Sequence, residues 1–284
     1  MVVAKLTAHR LLPVAGLLAL LVFTWWLRPA YSGGLLYKWA REAGRRQAWF
    51  LTRGLRSRES PHFLVRYRPE DEEVVSLVVE AAEFFYMPLS LRLGYTPANK
   101  ILLILYPDRQ SLRNVFGWPD GEDALGVYWG GVIRILSPRA WDWLEPDRSL
   151  AEEFMSNGPL AHELTHYFLD YLTGGNYPRW FSEGLAQYEE YILTGYQWVE
   201  PGSDNVIYSL DDLELRFDRL PAQPAAYRRA FLLVSYIASR YGDEKLREIV
   251  RELARGKTFD EALQRSLGLT RHELQEGFAA GVRE

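Results

Sequence analysis

The strongest constraint on the fold is a pair of adjacent stretches that read as two helices. "PLAHELTHYFLDYLTGG" opens on Pro159, tolerated at a first helical position because its missing N–H would have no partner there, and it stops at Gly174 and Gly175. "YPRWFSEGLAQYEEYILTG" begins after Pro178 and ends near Gly195. So few residues separate the two that they must pack antiparallel. At about 100° per residue, His162 and His166 stand about 40° apart, one turn above the other, and both imidazoles enter the same space. Glu163 lies roughly 60° from His166, near enough to act on a water beside those rings and too offset to join them easily.

This is the H-E-x-x-H pattern, two zinc ligands and a general base, and its plain alternative is a chance match on a buried helix. The chain has five histidines and no cysteine, so a metal must bind through nitrogen and oxygen, and a cysteine nucleophile, a thiolate site and a disulfide scaffold are excluded. A catalytic zinc takes three protein ligands, so a third donor is required. Glu183 is the candidate, against the plainer reading of a surface or helix-N-terminal glutamate: it sits near the start of the second helix among Trp180, Phe181, Leu185 and Ala186, on the face that should meet the first helix, where a carboxylate needs a partner. His162, His166 and Glu183 are therefore the expected ligands of one zinc ion (Zn2+), with Glu163 as the base.

"HELTH" followed by "WFSEGLAQY" resembles the gluzincin metallopeptidases, the thermolysin-like and aminopeptidase group whose third ligand is a glutamate on the following helix, and more narrowly the bacterial peptidase MA-like family. The likeness covers most of residues 60–280. Metzincins do not fit, because Leu169 and Leu172 stand where their glycine and third histidine would be. The resemblance implies a zinc-activated water attacking a peptide bond, Glu163 moving the proton, and a peptide or protein substrate. Many thermolysin-like enzymes carry an aspartate one turn after the glutamate ligand to orient a histidine; here that place holds Gln187, a neutral acceptor, and Asp170, one turn beyond His166, either takes over the task or is a solvated or helix-terminal aspartate. The aminopeptidase branch implies an oxyanion-stabilising tyrosine on a later helix, and Tyr227 in "PAAYRRAFLLVSYIASRYG" stands in a similar setting, against the plainer reading of Tyr227, Tyr236 and Tyr241 as packing aromatics. Gluzincins also lay substrate against a sheet edge. "GVYWGGVIRIL" is the hairpin placed to be that edge, with Tyr128 and Trp129 as candidate substrate contacts or cross-strand pairs. Trp141 and Trp143 read as a lid or a buried loop anchor.

Charge and hydropathy divide the rest of the chain. Residues 1–58 hold ten Lys/Arg against one acid, Glu42, leaving 23 against 36 for the remainder, a net −13. So acidic a body is a poor partner for a phosphate backbone, and nucleic acid is set aside. Residues 11–27 are 17 uncharged residues between Arg10 and Arg28, with Trp25 and Trp26 at interfacial positions, and read as a transmembrane anchor or signal segment. Five basic residues close behind that segment against two before it favour a cytoplasmic body. A short basic terminus ahead of one apolar run is also an export signal, so a single-pass protein of the bacterial cell membrane with an extracytoplasmic catalytic domain is expected. Residues 31–58 read as a basic helix along lipid headgroups or an ordinary linker helix packed on the body.

The expected organisation is residues 1–10 as a short basic terminus, 11–30 the anchor, 31–58 the juxtamembrane linker and 59–284 the peptidase domain. Within that domain, 59–157 alternates strand and helix and 158–284 is helical in period, an α+β fold with a mixed-sheet lobe before a helical lobe. The competing function is a catalytically silent zinc- or peptide-binding module. Intact Glu163 argues against it, because a structural zinc needs no base. Proteolysis within the bilayer is excluded by a motif that lies in a polar body with one apolar segment.

Overall fold

A computed structural model describes residues 34–142, 149–197 and 206–281. The expected anchor and the short basic terminus lie outside the described residues, as does Trp143, and no described helix is long and apolar enough to cross a membrane. Helix α1 (Leu35–Leu51) leads into β1 (Arg56–Glu59) and β2 (Phe63–Tyr67), then α2 (Val75–Leu93), β3 (Ile101–Tyr106), α3 (Arg109–Phe116) and the hairpin of β4 (Gly126–Trp129) and β5 (Val132–Leu136). The five strands form one mixed sheet in the order β1-β2-β3-β5-β4; β2, β3 and β5 run parallel, and each outer strand pairs antiparallel.

The continuous apolar run of β3 reflects burial on both faces. Ile101, Leu103 and Leu105 join the main core with Val78, Phe85 and Leu89 of α2, while Leu102 and Ile104 turn to the other face and meet Ala48 of α1 and Val132. The linker helix therefore packs on the body, and β1 carries residues of the expected 31–58 linker into the sheet. "RSRE" gave no strand signal because all four residues are exposed at the sheet edge, where charge blunts further pairing. Gly130 and Gly131 turn the β4-β5 hairpin with φ of +58° and +76°, as two central residues of such a turn require.

The second half is helical: α4 (Leu150–Asn157), α5 (Leu160–Thr173), α6 (Arg179–Thr194), α7 (Leu210–Arg216), α8 (Gln223–Tyr241), α9 (Asp243–Ala254), α10 (Phe259–Leu267) and α11 (Arg271–Gly281). Between α5 and α6 the buried Asn176 donates to the carbonyls of Leu253 and Lys257, both at 2.8 Å, which ties the tight connection to the end of α9. Helix α6 lies so close to α8 at Gly184 that an added Cβ would stand 2.4 Å from the Ala230 carbonyl oxygen. Trp141 is buried with its ring 5.6 Å from that of Phe154, so it anchors its loop. An α+β architecture, sheet first and helices after, is what the hydrophobic periods predict.

Candidate metal centre

Helix α5 is buried nearly all round, which brings His162, Glu163 and His166 inside the molecule at the point where α6 crosses them. His166 Nε2 and Glu183 Oε1 are 3.3 Å apart, His162 Nε2 and Glu183 Oε2 are 3.4 Å apart, and the two Nε2 atoms are 3.1 Å apart. The remaining ring nitrogens are engaged elsewhere. His162 Nδ1 lies 3.3 Å from Glu190 Oε2, and His166 Nδ1 lies 2.8 Å from Ser182 Oγ. In the tautomer that donates Nδ1–H to Glu190 and Ser182, each ring turns an Nε2 lone pair toward the other, beside a carboxylate that is 3% exposed. That donor set suits a cation, and the Glu183 carboxylate already draws the guanidinium of Arg179. Ligands about 2.0–2.1 Å from a tetrahedral zinc stand about 3.3 Å from one another. The Nε2–Nε2 separation and the distance from each ring to its nearer Glu183 oxygen are close to that edge, and a nitrogen-rich donor set disfavours calcium and magnesium. Within the described residues these three side chains form the one group of His, Asp and Glu able to hold a metal ion.

Burial and neighbouring charge act differently on the two imidazoles. Burial, joined by the neighbouring His162, drives the His166 imidazole down to about 3, so its neutral, ligating form dominates. Burial also acts against charge on His162, but the hydrogen bond to Glu190, with the charges of Glu190 and Glu163, outweighs it and raises that ring. Arg179, one turn ahead of Glu183, donates to the Glu183 carboxylate, donates to Asp218 at 3.1 Å and lies 3.5 Å from the Tyr227 hydroxyl.

Glu163 is buried beside the sheet edge, and its Oε2 accepts from the backbone N–H of Tyr128 at 2.5 Å. Leu136 donates to the Leu125 carbonyl, so by antiparallel alternation Gly126 and Tyr128 turn their backbone groups outward from the hairpin, toward α5. Gly126 permits the approach: a Cβ there would lie 2.7 Å from Pro159 Cβ and 2.8 Å from Glu163 Cγ.

Three expected roles change. Asp170 does not steady an imidazole; it is fully buried and accepts from Tyr37 at 2.8 Å, from Arg41 and from Tyr128. Gln187 does not face a ring either, since its amide donates to the carbonyls of Glu183 (3.3 Å) and Tyr227 (3.1 Å). The side chain of Tyr128 is committed to Asp170 and packs edge-on against Tyr167 rather than being free for substrate; its backbone N–H is donated to Glu163. Trp129 is half-buried on the opposite face of its strand, with its carbonyl accepting from Arg134. Tyr227 is half-buried near the centre, with its ring 5.0 Å from Phe217. The backing residues Ser182 and Glu190 escaped the sequence reading, although Glu190 is seven residues after Glu183 and so on the same helix face.

Residues 151–283 match the family model described as the Peptidase MA superfamily. The matched stretch contains both donor helices, and it supports a peptidase of the MA, gluzincin-like clan. The chain is also similar to the protein named "Uncharacterized protein YhcO" of Bacillus subtilis (strain 168), 20% identical over 226 residues that cover 75% of this chain and 67% of the relative.

Proposed function

We propose that the protein is a membrane-anchored, zinc-dependent peptidase with His162, His166 and Glu183 as ligands and Glu163 as general base. The observation that supports this reading is the convergence of His162 Nε2 and His166 Nε2, 3.1 Å apart, on the Glu183 carboxylate, whose Oε2 lies 3.4 Å from the first ring and whose Oε1 lies 3.3 Å from the second. Residues 11–27 are the anchor, and the body lies outside the cytoplasm. The gluzincin subdivision that fits best is the one in which a glutamate on the following helix is the third ligand.

When bound, zinc supplies Lewis acidity, lowering the pKa of water and polarising a carbonyl. The protein's part is positional. Glu190 and Ser182 fix both imidazoles in the tautomer that presents Nε2. An incoming peptide extends the sheet along the outward backbone groups of Gly126 and Tyr128, which lays its scissile bond over Glu163. Taking the Tyr128 N–H for itself, the peptide frees the Glu163 carboxylate to accept a proton from water and return it to the leaving amine. The Tyr227 hydroxyl, 3.5 Å from the Arg179 guanidinium that donates to Glu183, is the donor this reading assigns to the developing oxyanion.

Incubating the purified full chain with a peptide library tests this. Hydrolysis should stop with a chelator and return with zinc, and Glu163→Gln should abolish it while keeping the metal. Full turnover by Glu163→Gln would remove the base from the scheme; no turnover by any form of the chain would favour the silent zinc-binding module.

A further inference from the structure

Helix α1 has two apolar faces, and the body uses only one. On the inner face, Ala48 packs against the sheet, Gly44 meets the hairpin turn, and Tyr37 and Arg41 reach Asp170 on α5. At 100° per residue, Leu36, Trp39, Ala43 and Phe50 fall within about 60° of one another, on roughly the opposite side. They are uncovered: Leu36 is 67% exposed, Trp39 70% and Phe50 53%, with Leu35 and Leu51 exposed at the ends of the same surface. Cations rim it. Arg46 is exposed on the helix, and the Arg53 guanidinium sits 4.0 Å over the Phe50 ring; Glu42, the one acid of α1, is engaged by Arg45 and Tyr171.

We infer that the outer face of α1 docks on an anionic bilayer, with its apolar stripe at the headgroup–acyl boundary and its basic rim on the lipid phosphates. The inference rests on the membrane-anchored reading above. Residues 11–27 end seven residues before α1 begins, a tether of about 28 Å when fully extended, so an anchored chain holds this helix against the membrane surface. Exposed large apolar side chains gain by leaving water, and surface cations gain by approaching anionic lipid. Charge complementarity selects that occupant. A second copy meeting this face would set Arg46 and Arg53 against themselves, whereas the acidic remainder of the body is repelled by the lipid that attracts α1.

The cysteine-free chain allows a direct test in the full-length protein. Single cysteines at Trp39→Cys, Phe50→Cys and the control Leu215→Cys, a residue 82% exposed on α7, are spin-labelled and reconstituted in phosphatidylglycerol nanodiscs. Labels at 39 and 50 should show several-fold higher accessibility to oxygen relative to a water-soluble nickel chelate than the label at 215. Accessibility equal to that at 215, in discs that carry the protein, overturns the docking and leaves the anchor standing. Spin–spin broadening at 39 would assign the stripe to a second copy and also overturn it. Failure of the chain to enter discs at all overturns the anchor and the docking together.

Discussion

The guanidinium of Arg41 lies 3.4 Å from the carboxylate of Asp170 with both side chains buried, although 129 residues separate them. Tyr37 and Tyr128 complete the carboxylate's partners, so α1, the metal-donor helix and the sheet edge meet on one buried charge. Breaking such a pair from one side strands the other charge at a cost of about 3–5 kcal/mol. Arg41→Met should lose about that much in denaturant unfolding, and adding Asp170→Asn should restore much of it. Equal stability of the wild type and Arg41→Met would show that Asp170 is not held by α1.

Glu190 and Ser182 contact the Nδ1 atoms of the two imidazoles, and on the proposed zinc reading they act on the metal through those rings. Glu190→Gln keeps a hydrogen-bond acceptor but removes the charge behind His162, and zinc affinity should fall about 10–100-fold. Competition against a fluorescent chelator measures it. An unchanged affinity would assign Glu190 to packing alone.

Gly126 sets the distance between sheet edge and base. In Gly126→Ala the new methyl group would overlap Pro159 and Glu163, pushing the hairpin outward. A displacement on the order of 1 Å costs up to about 100-fold in turnover. We expect kcat to drop on that scale with zinc content intact; loss of zinc instead would show that the strand supports the ligands.

The pH response of stability has a distinct contributor in α7. Burial pushes the Glu214 carboxyl, which accepts from the Trp180 indole at 2.8 Å, up to about 7. Its proton is held more tightly in the folded chain than in the unfolded one. The stabilisation is complete below the ordinary carboxyl value of 4.5 and is lost as pH rises through about 7. Glu214→Gln, permanently neutral, should be roughly 1–3 kcal/mol more stable than wild type at about pH 8, with the difference vanishing near pH 4. A difference that does not change with pH would contradict the assignment.

The donor helices were legible in the sequence because glycine and proline punctuate them and because two histidines and a glutamate recur at helical spacing. The buried strands were legible because an apolar run covered on both faces has no polar alternation. Strand β1 was not, since an exposed edge strand carries no hydrophobic period. Asp170 was misread for a different reason: its partners Tyr37 and Arg41 come from a helix more than 120 residues earlier, and no local pattern in α5 announces them. The same holds for Tyr128, whose backbone rather than side chain meets Glu163, a distinction that strand register makes and residue type does not.

Zinc stoichiometry in the purified full chain and its ligand variants tests the centre most directly. The wild type should retain about one zinc per chain after dialysis, while Glu183→Gln and His166→Ala, checked for native circular dichroism, should retain less than about a tenth of that. Full zinc in a folded Glu183→Gln protein, or none in the wild type, would contradict the three-donor centre.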